Sequence, residues 1–283
     1  MGVRIITDTS CDLPPHLEDE LRELGVVLIP LLFFFGLEEC LDKSISMQEF
    51  LRRAEKVWPT TSVPSMGTFA QAFRDGVQAG DQVVCITITS NHSATYATAV
   101  AASQQFAPGQ VTVLDSQSLS VGQGLLVLAA ARAARAGKGP EEIVAVVNEL
   151  RRRSHLFIAL DTVEYLVKGG RASRLSGIMA GLLRIRPVLT LVNGELTLLD
   201  KARGRKAAKQ KLIDLARACF PAEALGVAHI ACEEEAREFI LEVASQTGFP
   251  EEAIFLAETG MAIATHGGPR TLGIVVVSQR GKE

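Results

Sequence analysis

Through its first half this chain alternates short β-branched runs with helical ones, a rhythm that leaves few architectures open. Arg4–Thr7 reads as a first strand, Pro15–Leu24 as a helix, and the apolar run Val26–Phe34 as the next extended segment. Ser46-Met47-Gln48-Glu49 has the form of a capping box, with Ser46 as N-cap and Glu49 reaching back, opening a helix toward Lys56. Ser65 reads as the N-cap of a helix over Met66–Ala79, followed by a strand at Gln82–Thr89 and an Ala-rich helix at Ser93–Gln105. A strand at Val111–Asp115 and a long helix at Leu119–Ala136, ended by Gly137, complete the series. Strands separated by helices imply right-handed crossovers and a mostly parallel sheet.

The second half has a different pattern. Pro140, after Gly139, starts a helix that runs to Arg153, followed by a strand at His155–Leu160. Within Val188–Leu199, Asn193-Gly194 sits between β-branched runs, the signal of a type I′ hairpin. A helix from Gly204 to Phe220, a strand at Val227–Cys232 and a helix at Glu233–Thr247 follow. Strands at Ala253–Ala257 and Gly273–Ser278 close the chain. The expected fold class is therefore α/β: an N-terminal three-layer domain over 1–154 with a mostly parallel sheet, then an α+β domain over 155–283 whose sheet is covered on one face. A length of 283 residues suffices for two cores.

Several function classes fall away on composition. A formal net charge of -3 argues against a general nucleic-acid binder. Cys11, Cys40, Cys85, Cys219 and Cys232 are scattered and form no Cys-x-x-Cys pair, so they read as reduced thiols of a cytoplasmic protein. Arg4–Asp8 already looks like a strand rather than part of a signal peptide. The run from Val26 to Leu37 contains Pro30 and is shorter than the roughly 20 residues a membrane span needs, so stable membrane insertion is not expected. No phosphate-loop motif occurs and no glycine fingerprint follows the first strand. Val121-Gly122-Gln123-Gly124 reads as close packing at a helix start. Neither a metal nor a cofactor is expected.

Three phrases stand out against this apolar chain: Thr60-Thr61-Ser62-Val63-Pro64-Ser65, Thr89-Ser90-Asn91-His92-Ser93-Ala94-Thr95-Tyr96 and His266-Gly267-Gly268-Pro269. Each offers hydroxyls or an imidazole next to exposed backbone, which suits one small anionic or polar group. Ser93 stands where a strand turns into a helix; there the free N–H groups favour an anion, although locally a plain helix cap is the simpler explanation of the serine. Val63-Pro64 biases Thr61 and Ser62 toward extended backbone, and capping gives Thr61 no local role. His266 is either a structural donor or a ligand group. Eleven Lys or Arg lie between Lys168 and Lys211, against only Glu195 and Asp200. That run is either a solvated face or a docking patch for an acidic partner, with Arg171 and Arg203 as its working members.

Taken in order, these phrases resemble the DegV family of bacterial fatty-acid-binding proteins. The resemblance runs nearly end to end, from Ile6-Thr7-Asp8-Thr9-Ser10-Cys11-Asp12-Leu13-Pro14 through the Thr61 and Ser93 phrases and Val113-Leu114-Asp115-Ser116. It continues with Glu164-Tyr165-Leu166-Val167-Lys168-Gly169-Gly170-Arg171, Arg186-Pro187-Val188-Leu189 and His266-Gly267-Gly268-Pro269. What it implies is a two-domain carrier that holds a long-chain fatty acid in a buried tunnel between its domains. The carrier would present the carboxylate to a separate fatty acid kinase subunit, dihydroxyacetone-kinase-like, for acyl phosphate formation that feeds phospholipid synthesis. By the same resemblance Thr61, Ser62, Ser93, the Ala94 N–H and His266 hold the carboxylate, while Arg171 and Arg203 face the kinase. The chain departs from the family at Ser93-Ala94-Thr95-Tyr96, where glycine is usual at the second position, and at Glu39-Cys40-Leu41-Asp42, where a tyrosine is usual.

Two other readings compete with the carrier. One is a serine hydrolase using Ser93, His266 and a carboxylate such as Asp8 or Asp115, although Asn91-His92-Ser93-Ala94-Thr95 lacks the Gly-x-Ser-x-Gly elbow. The other is a regulatory module that binds a polar metabolite and docks through the basic segment. The Phe33-Phe34-Phe35 cluster is expected in the core rather than on the tunnel wall.

Overall fold

The computed structural model describes residues 2–172 and 185–280. The chain opens with β1 (Val3–Asp8), α1 (Pro15–Glu23), β2 (Val27–Ile29), β3 (Leu32–Phe35), β4 (Glu38–Leu41), α2 (Met47–Ala54) and β5 (Pro59–Ser62). It continues through α3 (Met66–Gln78), β6 (Gln82–Thr87), α4 (Thr95–Ser103), β7 (Val111–Asp115), α5 (Ser120–Arg135) and α6 (Pro140–Arg153). Then come β8 (Ser154–Ala159), α7 (Glu164–Lys168), β9 (Arg186–Val192), β10 (Glu195–Ala202), α8 (Arg205–Arg217) and β11 (Ala222–His229). Last are α9 (Glu233–Thr247), β12 (Ile254–Glu258), α10 (Met261–Gly267) and β13 (Leu272–Ser278).

The expected parallel sheet is there. It has four strands in the order β2-β1-β6-β7, all pairs parallel. A core of Leu21, Ile86, Leu126 and Ile143 packs α1, α5 and α6 on one face. Ile6, Phe69, Phe73 and Ala99 pack α3 and α4 on the other, which makes three layers. A six-stranded mixed sheet follows, ordered β10-β9-β8-β13-β11-β12, in which only β11 and β12 run parallel. Its residues alternate between two buried faces, as strand geometry requires. Phe157, Leu225, Val227, Ile274 and Val276 meet α8 and α9, whereas Leu156, Ile158, Leu189, Ala228 and Val275 look the opposite way.

Three local expectations are corrected. Val26–Phe34 is not one strand: Pro30, which has no N–H for a ladder, separates β2 at the edge of the parallel sheet from β3. β3 instead joins β4 and β5 in a small antiparallel sheet that the sequence did not reveal. The capping box is half formed, since Ser46 Oγ accepts from the Glu49 N–H while the Glu49 carboxylate turns to Arg52. The Ala-rich helix begins at Thr95 rather than Ser93. The Asn193-Gly194 hairpin is as expected, with φ of 50° and 81° at its two turn residues. Phe33 and Phe35 pack with Phe50 in the core.

Candidate functional site

The face of the six-stranded sheet turned away from α8 and α9 forms one wall of a cavity of about 220 Å³. Leu156, Ile158, Leu160, Leu189 and Leu196 line it from that sheet and its flanks, and Leu31, Ile88 and Leu119 from the other half. Polar groups gather at Thr61, Ser62, His92, Ser93, Arg171 and His266. The cavity therefore combines an aliphatic lining with several polar side chains.

Each polar residue is delivered by a different element. β5 pairs with β3 and carries Thr61 and Ser62. The loop after β6 carries His92 and Ser93, and Ser93 Oγ bonds Thr95 Oγ1 at 2.8 Å and accepts from the Thr95 N–H at 3.3 Å. Ala94, also on the lining, has φ of -78°, so the alanine in place of the family's usual glycine is unstrained. It stands at the start of α4, where the first N–H groups have no intrahelical acceptor. α10 brings His266, whose Nε2 lies 2.8 Å from Thr61 Oγ1.

His266 Nδ1 is buried and has no hydrogen-bond partner among the described residues. Burial first, then the nearby Arg171 and His92, pull the ring down to about 3, so it is neutral at physiological pH. Arg171, just beyond α7, is half-buried against the same cavity and donates to the carbonyls of Gly169 and His92. Burial lowers its guanidinium below arginine's ordinary value, but arginine stays charged in proteins. One full positive charge thus lines the cavity beside the neutral donors. Trp58 and Tyr165 stack with ring centroids 4.7 Å apart and brace the approach to β5 against α7.

Arg203 is exposed and does not line the cavity. Much of the basic run around it is already paired: Lys168 with Glu164, Arg186 with Asp161, Arg205 with Glu235, Lys209 with Glu242 and Lys211 with Asp200. Arg174 and Arg184, two further members, lie outside the described residues.

The sequence reading missed His92 as a cavity residue, although it stands in one of the quoted phrases. Its Nε2 accepts from the Leu196 N–H at 2.9 Å. Thr89 Oγ1 donates to the Gly194 carbonyl and Asn91 Nδ2 to that of Asn193, so the hairpin turn docks on the Ser93 loop. Ser120, His229, Thr259 and Thr271 line the cavity as well.

The opening phrase from Thr7 to Asp12 has a structural role. Asp8 accepts from Ser10, Gln123 and the Ile88 N–H, and burial raises its carboxyl. Asp12 accepts from Ser120 Oγ, the Gly260 N–H and Lys43. Asp42, from the second departing segment, accepts from Thr9 and the Ala262 N–H. Asp12 and Asp42 thus tie the start of α10, and with it His266, to the N-terminal half, while Asp8 ties the Ser10 turn to the parallel sheet. Gly124 belongs to the same seam, since a β-carbon there would stand 2.8 Å from the Asp12 carbonyl oxygen.

Among the described residues Ser93, His266 and Asp115 are not hydrogen-bonded to one another. His266 bonds Thr61 and Ser93 bonds Thr95, while Asp115 is engaged by Ser90 and the Gln117 N–H. Among the described residues no group of three or more His, Cys, Asp or Glu could hold a metal ion, and no helix is long and apolar enough to cross a membrane.

The model of the DegV family, described as uncharacterised proteins, matches residues 2–279. This chain belongs to the DegV family. A DegV domain-containing protein of Caldanaerobacter subterraneus subsp. tengcongensis is 34% identical over 277 residues, 96% of this chain and 97% of the relative. Among solved DegV structures, a fatty-acid-binding DegV family protein from Thermus thermophilus superposes with a TM-score of 0.90 at 31% identity, covering 99% of this chain and 100% of that one. A stearic-acid-binding protein from Eubacterium ventriosum superposes with a TM-score of 0.85 at 27% identity, covering 97% and 98%. The fold is thus that of DegV proteins.

Proposed function

We propose that this chain binds a long-chain fatty acid in the apolar cavity and presents its carboxylate to a separate fatty acid kinase subunit, which forms the acyl phosphate. The observation that carries this reading is the lining of one cavity, largely aliphatic and bearing Thr61, Ser93 and His266 together. Fatty acids are what the Thermus and Eubacterium proteins bind.

The chemistry is consistent. Burying each methylene is worth about 0.8 kcal/mol, so a long acyl chain contributes roughly 10 kcal/mol before association costs. The wall therefore supplies affinity, and the head group sets register. A carboxylate in an apolar site needs several donors to stay ionised. Ser62, Ser93 and the Ala94 N–H supply them together with the Thr61–His266 pair, which has one proton left beyond its mutual hydrogen bond, and the charge of Arg171 holds the anion further. In this reading Arg171 also stabilises charge as the carboxylate takes up a phosphoryl group, and exposed Arg203 docks the kinase. The chain itself supplies no nucleophile, works in the cytoplasm, and divides at residue 154 into two domains with the ligand between them.

Mass spectrometry of an organic extract from the natively purified protein tests the first step. A stoichiometric fatty acid is expected; a clean extract, from protein that also fails to bind added fatty acid, would transfer the assignment to a polar metabolite. Ser93→Ala and Thr61→Ala are expected to weaken acyl phosphate formation with an added kinase subunit while leaving the fold intact. Undiminished phosphorylation in both would mean that the carboxylate sits elsewhere.

A further inference from the structure

The cavity face of the six-stranded sheet carries two glycines on neighbouring strands, and the fold uses them in opposite ways. Gly226 on β11 pairs with Phe255 on β12, and a β-carbon on Gly226 would stand 2.1 Å from the Phe255 ring. That ring lies over the glycine and fills its place. Gly273 on β13 pairs with Ala228 on β11 and Ile158 on β8, and all three line the cavity. A β-carbon at 273 would meet Ala228 Cβ at 3.6 Å, the Phe157 carbonyl oxygen at 3.8 Å and Leu156 Cδ1 at 3.9 Å, all ordinary contacts.

Nothing in the backbone demands glycine at 273, because its φ is not among the positive ones. A glycine inside a central strand weakens that strand and marks a place where something approaches the backbone closely. Here the space above it belongs to the cavity. One row along the sheet, Val275 pairs with Gly226 and with Leu156, so the low floor made by Ala228 and Gly273 ends against Phe255, Val275 and Leu156.

We propose that Gly273 is a specificity-determining residue: its missing side chain sets how much acyl chain the cavity admits. The inference rests on the fatty-acid reading above. A larger residue at 273 projects into the space an acyl chain would occupy, and the first atoms its β-carbon meets are those of Ala228, Phe157 and Leu156 rather than Thr61, Ser93 or His266.

The test compares decanoate and octadecanoate binding to the full chain by displacement of a fluorescent fatty acid, in the wild type, Gly273→Ala and Gly273→Leu. Octadecanoate is expected to bind Gly273→Leu about ten-fold more weakly, the equivalent of two methylenes forced out of the cavity. Decanoate is expected to change by less than about three-fold, with Gly273→Ala intermediate for the longer acid. Unchanged octadecanoate affinity in folded Gly273→Leu, or an equal loss for both acids, would overturn the assignment. If Gly273→Leu does not fold, Gly273→Ala decides by the same comparison, because its added methyl makes only ordinary contacts. A wild type that binds neither acid removes the fatty-acid reading itself, whereas a failure confined to the variants removes only the role of Gly273.

Discussion

Gly169 packs so closely on His266 that a β-carbon there would stand 2.2 Å from the ring's Nδ1 and 2.8 Å from the Tyr165 carbonyl oxygen. The Lys168-Gly169-Gly170-Arg171 phrase thus does more than supply an arginine: it leaves room for the imidazole that meets Thr61. Gly169→Ala should push the ring off the Thr61 hydroxyl. The expected result is a stability loss of about 1–3 kcal/mol from overpacking, together with weaker fatty-acid binding. Thermal melting and a binding titration measure the two, and unchanged affinity would show that the ring position is immaterial to the ligand.

Thr61→Val keeps the shape of the side chain and deletes its hydroxyl. His266 would then have no protein partner at either ring nitrogen, since the buried Nδ1 already lacks one among the described residues. Urea denaturation of the ligand-free protein should show a loss of about 1–3 kcal/mol. A variant as stable as the wild type would mean that the Thr61–His266 bond carries no net free energy.

The pH dependence of stability should contain two opposing contributions. His266 is held down to about 3, whereas an unfolded histidine titrates near 6.5. Between these values the unfolded chain holds the extra proton, so this ring makes stability fall as the pH drops through that window. Burial, outweighing Lys43 and Ser120, pushes Asp12 up to about 6 from 3.8. There the folded chain holds the extra proton, so the stabilisation is full below about 3.8 and is lost as the pH rises through 6. From pH 4 to 6 the two largely cancel. Asp12→Asn should expose the histidine contribution, an added slope of about 1.4 kcal/mol per pH unit toward lower stability in acid. Unfolding titrations at several pH values measure it, and a slope unchanged from wild type would contradict the burial of these two groups.

Asp42→Ala removes the acceptor for the Thr9 hydroxyl and for the Ala262 N–H at the start of α10. Two buried donors left unpaired should cost about 3 kcal/mol. Asp42→Asn, which keeps an acceptor oxygen, should recover part of that. Chemical denaturation ranks the three proteins, and equal stability of Asp42→Ala and wild type would deny the clamp.

What the sequence by itself determined is local. Alternation of β-branched and helical runs specified the parallel sheet, because a strand followed by a helix has one favoured handedness of return. Asn193-Gly194 specified a tight hairpin, because both positions need positive φ. Ser65 specified a helix start, with its Oγ accepting from the Thr68 N–H. The ordered DegV phrases located the polar residues along the chain.

Only the tertiary structure decided which of these residues meet. Thr61 and His266 are 205 positions apart, and their 2.8 Å contact depends on β5 and α10 being fixed by separate packing. Pro30 could have ended any strand, yet it is pairing with β4 and β5 that carries β3 away from the parallel sheet. Nothing local distinguishes Asp8, Asp12 and Asp42 in a sequence; burial among specific donors ties Asp8 to the parallel sheet and makes Asp12 and Asp42 a clamp on α10. The physical reason is the range of the forces involved. Backbone preference and periodicity act over a few residues and can be read in order, whereas burial and long-range hydrogen bonds exist only once distant segments have packed.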